Sequence, residues 1–256
     1  MINNPSFFYK YYPINKENET FIKRIFTHNE LYFSSPKKFN DPFDSKNPLS
    51  YDGSLADWEK YIRNRIDKYV PNLSAEQKES KIKEFAQKVQ SNPDFYNSGK
   101  SYIDKMGVFC MTEKKDNILM WSHYADGHKG ICLEFQLISN NPFFMITHQM
   151  HYTFQYSKPN IFKSSKEEQM QAILLTKSKD WEYEKEWRII NHDNGPGIYN
   201  FPAEFLTGVI LGCSMIKEHK DLITNLTLSR NPKPKIYQAK KKKDDFGLDI
   251  IEINGS

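Results

Sequence analysis

Cysteine is scarce. Cys110, Cys132 and Cys213 stand far apart with no Cys-x-x-Cys spacing, and an odd count does not build a disulfide framework. Long apolar runs are missing too, none approaching the roughly 18 residues of a membrane-spanning helix. The amino terminus shows no basic stretch leading into an apolar one. These absences set the expectation of a cytoplasmic, soluble chain with reduced, partly buried thiols and no membrane partner. Gly-x-Gly-x-x-Gly, a phosphate-binding Gly-Lys-Ser/Thr loop and a Gly-x-Ser-x-Gly elbow are absent as well, so dinucleotide dehydrogenases, nucleotide triphosphatases and common hydrolases lose their usual support. His123 and His128 lie five apart without a Cys or His to complete a zinc pattern. No metal is expected there, and a structural histidine or a Tyr-His hydrogen-bonding pair fits better.

What the chain has in quantity is aromatic side chains, 14% of 256 residues including 15 Tyr and 18 Phe. Such a core buries rings whose polar tips need partners. The length suits one large domain with an insertion. A net charge of +4 is compatible with a nucleic-acid partner without requiring one. Much of the excess is Lys240-Lys241-Lys242-Lys243, which beside Asp244 and Asp245 reads as a solvated loop.

Phe7 to Tyr12 has strand propensity and ends at Pro13. Asn15 to Thr27 spaces Phe21, Ile22, Ile25 and Phe26 as a helix, and Leu31-Tyr32-Phe33 is a short strand. The loop through Phe39-Asn40-Asp41-Pro42-Phe43 is an ordered turn in which Asp41 is expected to satisfy backbone donors. From about residue 54 to 92, two amphipathic helices break at Pro71-Asn72-Leu73-Ser74. One stripe carries Leu55, Trp58, Tyr61, Ile62, Ile66 and Tyr69, the other Ile82, Phe85 and Val89. We expect this pair to cover a sheet as a candidate lid.

Met106 to Thr112 and Ile131 to Phe135 read as strands, Asn117 to Tyr124 as a short helix, Phe143 to Tyr156 as a strand, and Ser165 to Lys177 as a helix. Gly208 to Gly212 is a strand, Ser214 is expected to cap a helix through about Leu226, and Lys235-Ile236-Tyr237 and Leu248 to Ile253 are closing strands. The fold class is α+β: one domain over 1–256 with a mixed or antiparallel sheet core and an inserted helical pair.

Trp181 to Ile190 is the most informative stretch. With period two it puts Glu182, Glu184, Glu186, Arg188 and Ile190 on one face and Trp181, Tyr183, Lys185, Trp187 and Ile189 on the other. Three carboxylates in line would repel one another, and Arg188 relieves only part of that. The stretch is either a salt-bridged surface strand or part of a site.

Leu31 to Pro36 running into Phe39 to Phe43, Met120 to Tyr124 with Lys129 to Phe135, and Glu184 to Arg188 together resemble a bacterial family catalogued as a domain of unknown function, number 2971. That resemblance implies no activity. The order of aromatic first strand, helix, Tyr-Phe-Ser-Ser and a late Glu-x-Glu is also similar to ADP-ribosyltransferases. This second resemblance implies NAD as substrate, with Glu186 as the principal catalytic residue and Glu184 orienting the acceptor. Ser34 and Ser35 would hold the NAD, with Tyr9, Lys10, Tyr11, Tyr32, Asn40, Trp121 and Tyr124 around it. Lys10 or Tyr11 would take the first-strand place of an Arg or His. It further implies a nucleic-acid or protein acceptor, a toxin or phage-defence role and an antitoxin-like partner. Two other readings stand beside it. One is a metal-dependent nuclease using Asp41, Glu134, Glu184 and Glu186; the other is a non-enzymatic sensor or adaptor.

Overall fold

The structure, a computed structural model, describes residues 5–92, 101–136 and 147–253. The chain forms two compact units: Met1–Ser34, Met106–Met150 and Lys179–Ser256 make the first, Ser35–Lys105 and His151–Ser178 the second.

In the first unit, the elements run β1 (Phe7–Tyr12), α1 (Glu19–His28) and β2 (Glu30–Phe33). In the second unit come α2 (Leu55–Tyr69), α3 (Ala75–Ser91) and α4 (Ser101–Asp104). The first unit resumes with β3 (Gly107–Thr112), α5 (Ile118–Tyr124), β4 (Ile131–Gln136) and β5 (Thr147–Gln149). The second adds β6 (His151–Thr153), α6 (Lys166–Leu174) and β7 (Thr176–Ser178). The first closes with β8 (Glu186–Asn191), β9 (Gly197–Asn200), β10 (Leu206–Leu211), α7 (Lys217–Leu228), β11 (Lys235–Lys241) and β12 (Leu248–Ile253).

Eight strands of the first unit form one sheet in the order β12-β11-β10-β4-β1-β3-β8-β5, all antiparallel neighbours except the parallel pair β10 and β11. This is the mixed α+β architecture read from the sequence. Alternation along the strands gives the sheet two faces. One carries Phe8, Phe109, Leu133, Phe135 and Trp187, covered by Ile22, Ile25 and Phe26 of α1 and Ile223 of α7. The other carries Tyr9, Tyr11, Cys132 and Ile210 beneath Met120 and Trp121 of α5. Each fully buried large apolar side chain contributes about 1.5–3 kcal/mol.

Local chemistry moves several element ends. The Asn15 side chain accepts from the backbone N–H of Glu17 and Asn18, so α1 starts at Glu19 rather than Asn15. Asn29 ends it in the left-handed conformation at φ 55°. Ser214 does not cap α7: the helix begins only at Lys217, so Ile216 holds the cap position without a side-chain hydrogen bond. The helix expected over Ser165 to Lys177 is capped by Ser165 but stops at Leu174, giving way to β7. Of the strand expected over Phe143 to Tyr156, residues 143–146 lie outside the described residues, and the rest is two strands interrupted at Met150.

In the second unit, α2 and α3 begin with reciprocal caps, Ser54 with Asp57 and Ser74 with Gln77. Trp58, Ile62, Ile82, Ala86 and Val89 close on one another and on Ile161, with Phe162 edge-on to Trp58 at 4.8 Å. Phe85, expected in the stripe, is 41% exposed because Ala86 holds the inward position.

Candidate functional site

The stretch expected to be one strand is two elements. Lys179 to Glu184 winds as a 3-10 turn, Lys185 takes a left-handed φ of 45°, and only then does β8 begin at Glu186. A residue at positive φ resets the alternation, so the three carboxylates are not in line. Glu182 is half-buried and pairs with Lys179 at 2.8 Å and Lys185 at 3.7 Å. Glu184 is buried, and the Tyr124 hydroxyl donates to its Oε1 at 2.7 Å. Glu186 is 5% and Arg188 1% exposed, with Arg188 Nε donating to Glu186 Oε1 at 2.7 Å and Nη2 to Oε2 at 3.3 Å. The expected repulsion is thus absent: each carboxylate has its own donor.

β3 is the hub. It pairs with β8 along its whole length but with β1 at one position, Tyr9 opposite Thr112. Beyond that pair β1 and β3 part, and Ser34, just past β2, takes up the Val108 backbone N–H and carbonyl at 2.8 Å each. Directly opposed residues point to the same side of a sheet. Ser34 and Val108, Cys110 and Arg188, and Thr112, Tyr9 and Glu186 therefore share a face. Lys10 leaves on the opposite face, with its ammonium 5.3 Å from the Phe109 ring centre.

Along this face, a row crosses the sheet from Glu186 through Thr112, Tyr9 and Glu134 to Gly208. The Tyr9 hydroxyl donates to Glu134 Oε2 at 3.2 Å and the Thr207 hydroxyl to Oε1 at 3.0 Å. Gly208 makes room for this carboxylate, since a Cβ there would lie 2.9 Å from Glu134 Oε1. The Thr112 hydroxyl donates to the Glu184 carbonyl and fixes the 3-10 turn against β3. Burial, reinforced by Glu186, pushes the Cys110 thiol up to about 12. Burial first, then the charge of Glu134, also raises Tyr9, so both groups stay protonated at neutral pH.

The other sequence-derived residues divide clearly. Tyr11 donates its hydroxyl to the Lys114 carbonyl at 2.7 Å and meets Trp121 edge-on at 5.1 Å. Trp121 is wholly buried, its indole N–H on the Lys115 carbonyl at 3.0 Å and its ring stacked on His128. It is core rather than an open stacking surface. Tyr32 is partly exposed on β2. Ser35 and Asn40 belong to the second unit, where the Ser35 hydroxyl donates to the Asp104 carbonyl at 2.6 Å and Asn40 is exposed. Asp41, also in that unit, accepts from the Phe43 N–H at 2.9 Å, the turn expected of it. His128 pairs with the Ser122 hydroxyl at 3.2 Å and stacks on Trp121, a structural histidine.

Glu134 and Glu186 sit three strand spacings apart, roughly 14 Å, too far to share one ion. Among the described residues no group of three or more His, Cys, Asp or Glu is placed to hold a metal. The residues the sequence reading passed over are Thr112, Cys110 and Thr207. Alternation in Gly107-Val108-Phe109-Cys110-Met111-Thr112 was the available signal, since it separates Cys110 and Thr112 from the aromatic face.

Residues 120–189 match the model of a family described as a protein of unknown function (DUF2971). The match contains Tyr124, Glu134, Glu184, Glu186 and Arg188, hence both carboxylates of the row that crosses the sheet, but not its Tyr9, Thr112 or Gly208. It takes in two of the three stretches that carried the resemblance and leaves out Leu31 to Phe43. No curated protein and no solved structure matches the chain.

Proposed function

We propose that the first unit is an NAD-consuming transferase of the ADP-ribosyltransferase type, with Glu186 as the working carboxylate and a nucleic acid or protein as acceptor. One observation supports this reading. β3 gathers on one face the elements that carried the resemblance: the first strand through Tyr9, the Ser of Tyr-Phe-Ser-Ser through Ser34 beside Val108, and the late Glu-x-Glu through Glu186 beside Thr112. The first-strand contact on this face falls to Tyr9 and Tyr11, because Lys10 points the other way.

In such a reaction the bond from ribose C1′ to the nicotinamide nitrogen breaks, and nicotinamide leaves with the bonding pair. The acceptor's lone pair forms the new bond at C1′ and its proton passes to water. A fixed carboxylate beside the ribose steadies the developing positive charge. Arg188 is the positioning residue, holding the Glu186 carboxylate by two donors before any substrate arrives. This activity suits a toxin or phage-defence effector with an antitoxin-like partner.

The test incubates purified protein and labelled NAD with RNA, DNA or lysate, with and without chelator. Label transfer that survives chelation and is lost in Glu186→Gln by about 10²- to 10³-fold is the expected result. Metal-dependent strand cleavage without NAD would replace the transferase with a nuclease. A second reading, a non-enzymatic sensor or adaptor, is favoured by the burial of both Glu184 and Glu186 with internal partners; it predicts neither nicotinamide release nor cleavage with any acceptor.

A further inference from the structure

Of the lysine run, Lys242 and Lys243 stand exposed in the turn after β11, whereas Lys240 and Lys241 line a pocket. β10, α7 and β11 form the parallel strand-helix-strand unit of the sheet. Outside the carboxyl ends of its two strands lies an open concavity of about 340 Å³, the position where parallel units put ligands. Its floor is Gly212, where a Cβ would fall 2.1 Å from the His128 carbonyl oxygen, so the backbone can lie flat there only without a side chain. Lys220 from the first turn of α7 and Lys240 and Lys241 from the end of β11 line it, with no Asp or Glu in the lining.

The β11–β12 hairpin continues from this pocket. Lys242 and Lys243 follow Lys241, the turn holds Asp244 and Asp245, and Phe246 is fully exposed. Lys241 pairs with Leu248, so Phe246, in the bend two residues before Leu248, stands at most about 7 Å along the chain from the pocket's rim. That is within a step of one nucleotide in an extended single strand. A cationic pocket beside an exposed aromatic ring is the arrangement by which proteins hold single strands, phosphate in the groove and base on the ring. A membrane surface is disfavoured, because Phe246 has Asp244, Asp245 and lysines around it rather than an apolar face.

We propose that this corner of the first unit binds single-stranded nucleic acid, with a backbone phosphate among Lys220, Lys240 and Lys241 and a base on Phe246. Its role as the strand that presents the acceptor rests on the transferase reading; the binding does not.

The test is fluorescence anisotropy of a labelled 12-nucleotide single strand, RNA and DNA, with the full chain and no NAD, between 50 and 200 mM salt. Binding should weaken with salt. Phe246→Ala should weaken it about 5- to 150-fold, the range for one stacked base, and Lys240→Ala with Lys241→Ala should flatten the salt slope by about 0.7 per lysine. These positions are exposed, and matching thermal melts show that the variants fold. Binding that is absent at 50 mM salt, or unchanged in the variants, overturns the proposal. So does a nucleoside diphosphate that binds as tightly as the strand and ignores Phe246→Ala, or binding to phosphatidylserine vesicles in place of the strand. Because NAD is omitted, failure here leaves the transferase reading standing, and failure of NAD turnover leaves this result standing.

Discussion

Glu182 and Glu186 are four residues apart and occupy opposite environments. Glu182 is partly open to water between two lysines, where an ion pair contributes about 0–1 kcal/mol and salt screens it. Glu186 is enclosed with Arg188, where neither charge can turn to water if the other is removed. The difference comes from the local backbone: Glu182 lies on the outer side of the 3-10 turn, whose last residue Glu184 already faces inward, and Glu186 opens β8 just after the left-handed Lys185. What matters chemically is therefore not how many carboxylates a stretch carries but which way the backbone turns each of them.

Removing one partner of the enclosed pair sharpens the contrast most. Arg188→Met should destabilise the protein by about 3–5 kcal/mol, as removing one partner of a buried ion pair does, read from the urea midpoint. Combining it with Glu186→Gln should recover much of that loss, because no charge is then stranded; additive losses in the double variant would show that the two side chains are not coupled. Tyr124→Phe comes next. It withdraws the hydroxyl from buried Glu184 and should cost about 1–3 kcal/mol, by the same measurement.

Alkaline pH probes the buried face from a different side. The Cys110 thiol rises from 9.0 to about 12 on folding, so the native state keeps a proton that the unfolded chain releases. Its contribution is complete below pH 9 and is lost as pH climbs towards 12, with stability falling through that window. Cys110→Ala should flatten the alkaline limb of a urea midpoint against pH curve, and an unchanged limb would contradict the assignment. The smallest effect belongs to Glu182→Gln, within about 0.5 kcal/mol and reduced further by salt. A loss comparable to that of Tyr124→Phe would erase the contrast between the two carboxylates.

The sequence made the strand at Phe7–Tyr12, the two amphipathic helices and the Asp41 turn legible, because period and Asx chemistry are local. It also singled out Glu184 and Glu186. It misplaced them relative to one another because Glu-Tyr-Glu-Lys-Glu-Trp-Arg keeps a perfect two-residue alternation through a reversal made at a lysine, with no Gly or Asn to mark it. The partners of the site were out of reach for another reason. That Thr112 stands between Tyr9 and Glu186, and that Ser34 replaces β1 beside Val108, are pairings over scores of residues, decided by which aromatic faces meet in the core.

The central claim is that Glu186 acts on NAD rather than merely securing Arg188. Nicotinamide release from NAD by the wild type and by Glu186→Gln with Arg188→Met, a variant that leaves no unpaired charge behind, tests it most directly. The account predicts release by the wild type and a loss of at least about 10²-fold in the double variant at equal folded fraction. Equal release by the two proteins, or none from the wild type with any acceptor, would contradict it.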